Sequence, residues 1–185
     1  HDVRVPASAV TDGVPVGRSE VAMFDRYLSS GAFHAAASLG VAEAAHELAV
    51  VGATKRRGAH PDEGWVRSQV AASTFDLYAM RSAFDRAAHL CDEVDALDLR
   101  GEASAAEWAG WFAEVQSAKA IVCDGAVRVV DRALALSGGA GFFASHPLAK
   151  AYRDVRACGF MHPLGANRAS GFVADVSLGD VPVLR

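Results

Sequence analysis

The chain predicts an all-α, up-down four-helix bundle, and three observations lead there. Small and apolar residues recur at threes and fours over three long windows. The segments between those windows are short and polar, which favours antiparallel neighbours. Strand-like alternation is confined to the first few residues, where Val3 and Val5 alternate with Asp2 and Arg4 before Pro6.

That remnant is a short strand with no partner of its own, so the chain reads as the C-terminal part of a larger protein. Thr11 to Gly17 mixes glycine and proline and reads as a linker. Residues 1–17 are therefore a tail and linker, and 18–185 the bundle. The first helix carries Phe24, Tyr27, Leu28, Gly31, Ala35, Ser38, Ala42, Ala45 and Leu48 on one face and ends near Gly52. A second aligns Val66, Val70, Ser73, Leu77, Met80, Phe84, Ala87, Cys91 and Val94. A third aligns Trp108, Trp111, Val115, Ala118, Val122, Ala126, Val129, Ala133 and Leu136. Each is about 40 Å long at ~1.5 Å per residue. The fourth helical stretch is broken, one piece running from Pro147 to Arg156 and another from Pro163 to Leu178, since proline favours the first helical position. Trp108, Trp111, Phe142 and Phe143, near helix ends, are candidates for a subunit interface.

With 185 residues the chain suffices for one domain. A net charge of -4, without a basic run longer than Lys55-Arg56-Arg57, leaves no footprint for nucleic acid or an anionic membrane. Charges interrupt every apolar stretch before it could span a bilayer, and the N-terminus lacks the pattern of an export signal. Cys91, Cys123 and Cys158 suggest neither a metal site nor a disulfide framework, so a cytoplasmic home is expected.

Four features carry candidate chemistry. Ser137-Gly138-Gly139-Ala140-Gly141 sits between helices with no preceding strand, which excludes a dinucleotide fingerprint. It reads as a helix cap, or as bare backbone N-H groups open to a phosphate or ribose. Arg56 and Arg57 follow the first helix, as favoured by its dipole or as a clamp on a diphosphate. Arg153 and Asp154 are adjacent on a helix and do not face each other, so each is expected to tie it to a neighbour. His162 precedes Pro163 at the break between two helical pieces. It either closes a helix start, as the repeated His-Pro steps at 60, 146 and 162 suggest, or serves as a base in an apolar pocket. His46-Glu47 lacks the second histidine of a zinc protease motif, and no metal site is expected.

The succession VRVPASAV, then LYAMRSAFDRAAHLCDEVD, then AKAIVCDGAVRVVDRALALSGGAGFFASHPLAKAYRDVRACGF resembles the C-terminal half of the acyl-CoA dehydrogenase superfamily, most specifically in GGAGF followed by YRD. The resemblance implies a bundle that follows a helical domain and a β-domain, a homo-oligomer of tetramer type, and FAD or FMN as cofactor. It implies that Gly138, Gly139 and Gly141, with Arg56 or Arg57, reach the flavin of a neighbouring subunit. The family's Arg-x-x-Phe-Gly is not spelled out in KRRGAHP, and Ala135 stands where many dehydrogenases have glutamine.

Dehydrogenases continue after YRD into Tyr-Glu-Gly-Thr, whose Glu removes the α-proton of a thioester; here that place falls on His162 in FMHPLGAN. The run is similar to the branch of two-component flavin monooxygenases that includes dibenzothiophene monooxygenase, the oxygenase component of 4-hydroxyphenylacetate hydroxylase and amino-sugar N-hydroxylases. The resemblance thus implies an oxygenase that uses reduced flavin from a separate reductase on a small aromatic or related substrate. His162 would be its catalytic residue and Phe160 and Met161 its pocket walls. An acyl-CoA dehydrogenase with its base elsewhere, or a non-catalytic oligomerising bundle, are the alternatives.

Overall fold

The computed structural model describes residue 24 and residues 27–58, 62–97 and 103–183. The expected strand at Val3 and Val5, the linker from Thr11 to Gly17 and the His60-Pro61 step lie outside them. The three long helices are α1 (Ser30–Lys55), α2 (Glu63–Leu97) and α3 (Ala105–Ser137). The broken fourth layer is α4 (Pro147–Asp154) and α5 (Ala166–Ser177), separated by a 3-10 turn at Ala157–Phe160. A second 3-10 turn, Gly138–Phe142, follows α3 directly.

Cross-helix pairs give the topology. Glu43 meets Arg81, and Asp76 meets Arg128 while Glu114 meets Arg86, so α2 runs against both α1 and α3. Arg56 reaches Leu136, which makes α1 and α3 parallel. Phe112 packs on Phe172 and Leu148 lies in the cluster of Leu134 and Leu136, so the broken fourth layer returns antiparallel to α3. The bundle is up-down-up-down.

Local chemistry sets the helix starts. At α3, the Ser104 hydroxyl accepts the Glu107 N-H while the Glu107 carboxylate accepts the Ser104 N-H, two otherwise orphaned donors satisfied together. At α4, Pro147 takes the first position and His146 Nδ1 accepts the Leu148 N-H at 3.2 Å. The His-Pro step here closes a helix start. The step at His162-Pro163 does not, because α5 begins later, at Ala166, after Gly165.

The core divides into two clusters along the bundle axis. One joins Leu39, Leu77, Met80, Val122, Val129, Leu134 and Leu148; the other is built on Phe24, Phe112 and Phe172, whose rings lie 5.2 to 5.8 Å apart. Ring pairs at such separations add about 0.5–1.5 kcal/mol beyond their area burial. Gly125 lets α2 approach α3, since a Cβ there would lie 2.6 Å from the Met80 sulfur.

The stripes expected on α2 and α3 are the buried or half-buried ones. Several other expectations need correction. On α1, Leu48 is 45% exposed and Ala49 turns inward instead, and the helix runs past Gly52 to Lys55. Trp108 is no interface residue within this bundle but core, buried against Phe112 and Trp111. Asp154 pairs with Lys150 one turn back on its own helix rather than with a neighbour. Cys123 and Cys158 are 35 residues apart in sequence, yet α3 and the 3-10 turn bring them together as a disulfide; only Cys91 is free among the described residues. No described helix is long and apolar enough to cross a membrane.

Asp76 on α2 accepts from both Arg128 and Arg132 of α3, at 2.7 and 2.6 Å. The hydrogen bond from Arg128 is the largest cause holding its carboxyl below the usual range, with Arg132 adding to it against the effect of burial. A lowered folded value means stability present above about pH 4 and lost as pH falls through that value. Asp76→Asn should cost about 1 kcal/mol at pH 7, and chemical denaturation at pH 7 and pH 3 should show the difference shrinking with acidification.

Candidate functional site

The segment between the two pieces of the fourth layer is held from below by one lysine. Lys119, in the middle of α3, is 4% exposed. Its Nζ donates to the carbonyl of Met161 at 2.5 Å, of Leu164 at 3.0 Å and, more weakly, of His162 at 3.4 Å. A buried ammonium is costly unless its donors are satisfied, and here the carbonyl dipoles meet all three. Burial pushes its pKa below the ordinary lysine range. The disulfide anchors the same segment a few residues earlier, since Cys123 lies one helical turn beyond Lys119 and Cys158 lies in the preceding 3-10 turn.

Above this clamp the His162 ring lies edge-on to Tyr27 at 6.0 Å and to His34 of α1 at 5.7 Å. His34 is held below the ordinary histidine value, first by burial, then by the charges of Lys119 and His162. Two imidazoles and a phenol thus converge over a buried cation. Phe160 is 87% exposed, Met161 is partly exposed, and Phe33 beside His34 is also exposed, so the cluster is bordered by open apolar surface. Tyr27 was read as a core position, while His34 and Lys119 were passed over as candidates. The signal for Lys119 was present: a lysine falls next to Ala118 and between Val115 and Val122, on the inward side of α3.

The remaining sequence candidates gather at the other end of the bundle. Arg56 donates through Nη2 to the Leu136 carbonyl at 2.6 Å and through Nε to the Gly52 carbonyl at 3.2 Å. It thereby ties the C-terminal ends of α1 and α3 together. Arg57, with Arg67, borders an apolar cleft of about 360 Å³ formed by Val50, Val66, Val70 and Leu136. The glycine turn begins immediately beyond Leu136. Gly138 has φ +67°, a conformation that suits glycine. A Cβ at Gly138 or Gly139 would meet nothing within 4 Å, whereas one at Gly141 would run into Ser137. The first two glycines present open backbone, and the third is a packing position. His34 and Arg56 are 22 residues apart on one helix and its cap, so about 33 Å separates the two ends at ~1.5 Å per residue. The structure brings Arg56, Arg57 and the glycines together and keeps them away from His162, Phe160 and Met161. Among the described residues no group of three His, Cys, Asp or Glu side chains could hold a metal ion.

Residues 28–162 match the family model described as acyl-CoA dehydrogenase, C-terminal domain. The amino sugar nitrososynthase DnmZ of Streptomyces peucetius is 39% identical over 90% of the chain and 40% of that protein. The L-evernosamine nitrososynthase of a Micromonospora species is 34% identical over 95% of the chain and 39% of that protein. The chain thus spans about 40% of the length of the curated relatives it matches. Among solved structures, KijD3 in complex with FMN and dTDP-3-amino-2,3,6-trideoxy-4-keto-3-methyl-D-glucose superimposes with a TM-score of 0.76 at 30% identity, over 92% of the chain and 41% of KijD3. The nitrososynthase of Micromonospora carbonacea var. africana gives 0.75 at 33% identity, over 89% and 41%.

The lowered value at His34 is directly measurable. Exchange of the histidine C2 hydrogen, followed by mass spectrometry against pH, should give His34 a midpoint below 6.5. A base depressed in the folded state contributes stability that is intact above its unfolded value and declines as pH falls, because the unfolded chain protonates first. His34→Asn should therefore flatten the acid-side loss of thermal stability that begins near pH 6.5.

Proposed function

Because the chain belongs to the acyl-CoA dehydrogenase C-terminal domain family, we propose that it is the helical C-terminal domain of a flavin-dependent oxidoreductase that oxidises the amino group of a nucleotide-linked amino sugar. The observation that carries this reading is the cluster at His162. In the dehydrogenase branch this place is taken by a carboxylate base; here the groups facing it are imidazole, phenol and ammonium. The activities named for the nitrososynthase relatives and the nucleotide sugar bound by KijD3 support an amine substrate over a thioester or an aromatic one.

The residues at the far end fit a flavin. Gly138 and Gly139 leave open space over the turn, the Gly138 N-H itself being donated to the Ala135 carbonyl, and Arg57 offers a cation beside an apolar cleft, a combination that lets a phosphate joined to an apolar ring approach closely. FMN, as in KijD3, is the favoured form, with FAD the other member of the pair. Gly138, Gly139 and Arg57 would hold it, while Arg56 sets the distance between the helix ends and Gly141 sets the turn. Since about 33 Å of helix separates these residues from His162, the two ends serve two flavin molecules. That supports a homo-oligomer, of tetramer type, in which one subunit's turn reaches its neighbour's cofactor.

When bound and reduced by a separate reductase, the flavin activates molecular oxygen for transfer to nitrogen. The protein's share is proton handling and exclusion of water. A sugar ammonium has no lone pair to offer an electrophilic oxygen until it loses a proton, and His162 is the acceptor. His34, whose pKa burial lowers, is the neighbouring imidazole through which the proton can pass onward. Phe160 and Met161 supply apolar walls beside the ring.

The test uses the complete enzyme with reduced flavin, oxygen and a dTDP-amino sugar, read by mass spectrometry. Hydroxylamine and nitroso products are expected, with kcat reduced about 10²–10⁴-fold in His162→Ala. Reduction of the bound flavin by an acyl-CoA without any N-oxidised product would overturn the proposal.

A further inference from the structure

We propose that Lys119 is a positioning residue that acts through His162, its buried ammonium fixing the 161–164 backbone so that the imidazole stands against Tyr27 and His34. The inference rests on the functional reading above for its kinetic part, and on geometry alone for its structural part.

Beyond the Cys123–Cys158 disulfide at its start, the segment has little else to hold it. It leaves a 3-10 turn at Phe160, passes the His162-Pro163 peptide and enters α5 only at Ala166, so the carbonyls of Met161, His162 and Leu164 have no helical ladder to accept into. Lys119 supplies one point to which all three converge. Phe160 and Met161 lie at the surface and contribute little packing, while Leu164 is buried in the aromatic cluster. The ammonium is thus the polar anchor and Leu164 the apolar one, with His162 between them. A compact cation with three rotatable donors suits three carbonyls arriving from different directions, where a planar guanidinium would not. Lys119 itself faces carbonyl oxygens and is buried, so it orients the ring without touching substrate.

Two measurements on the complete enzyme test this. In amide hydrogen exchange, Lys119→Met should exchange about tenfold or more faster across residues 159–165, with α2 unchanged, because a local opening has lost its polar anchor. In turnover of a dTDP-amino sugar, the same variant should lower kcat by about 10–100-fold through misplacement of the imidazole, with KM within about threefold of wild type. On a His162→Ala background it should lower kcat no further, the non-additivity expected of a residue acting through another. The midpoint of His34 should also rise, since Lys119 is one of the charges holding it down. Wild-type exchange at 159–165, or a kcat loss that adds in full to that of His162→Ala, would overturn the proposal. If Lys119→Met does not fold, Lys119→Gln, with two donors for three carbonyls, should show an intermediate acceleration, and wild-type exchange there would likewise overturn it. Should His162→Ala leave turnover intact, the functional reading fails, while the exchange result still decides whether Lys119 anchors the segment.

Discussion

Helix α3 touches every other helix of the bundle, and 17 of its 33 residues are buried. A helix enclosed on that scale cannot rotate or slide without exposing apolar surface, at about 25 cal/mol for each Å². Its register therefore fixes whatever hangs from it. One end delivers the glycine turn next to Arg56, the middle delivers Lys119 under the His162 segment, and the disulfide adds a covalent tie one turn further along. The glycines, Phe160, Met161 and His162 come from loops and 3-10 turns, but their placement is a property of one rigid core helix.

The exchange of a carboxylate for an imidazole is chemically coherent with its surroundings. A carboxylate set over the buried Lys119 charge would be held strongly ionised, which suits abstraction of a carbon-bound proton only when a thioester acidifies it. His34, the imidazole beside His162, is held below the ordinary histidine value, first by burial and then by the charges of Lys119 and His162. Neutral imidazoles accept protons from ammonium groups near neutral pH.

Much of the fold was legible because amphipathic periodicity is a local signal: the stripes of α2 and α3 follow from spacing alone. Leu48 and Ala49 show its limit, since a one-residue choice at the edge of a stripe depends on the neighbouring helix. Pro163 shows another, because proline also suits the turn before a helix, and here the helix starts only at Ala166, after Gly165. His146 obeyed that rule and His162 did not. The histidine was found through its place after YRD, but Lys119, His34 and Tyr27 were not, because what makes them functional is convergence of residues up to 135 positions apart. The pairing of Cys123 with Cys158 was missed for the same reason.

If the two ends of one bundle serve different flavins, as proposed, subunit complementation shows it most directly. Gly139→Asp places a carboxylate in open space on the turn, where the fold tolerates it and a phosphate does not. His162→Ala removes the acceptor at the other end. Each homo-oligomer should be nearly inactive, and co-assembled mixtures should regain N-oxidation, because a subunit with an intact His162 can meet an intact turn from its partner. Mixtures as inactive as the two parents would contradict the claim and place both ends at a single flavin.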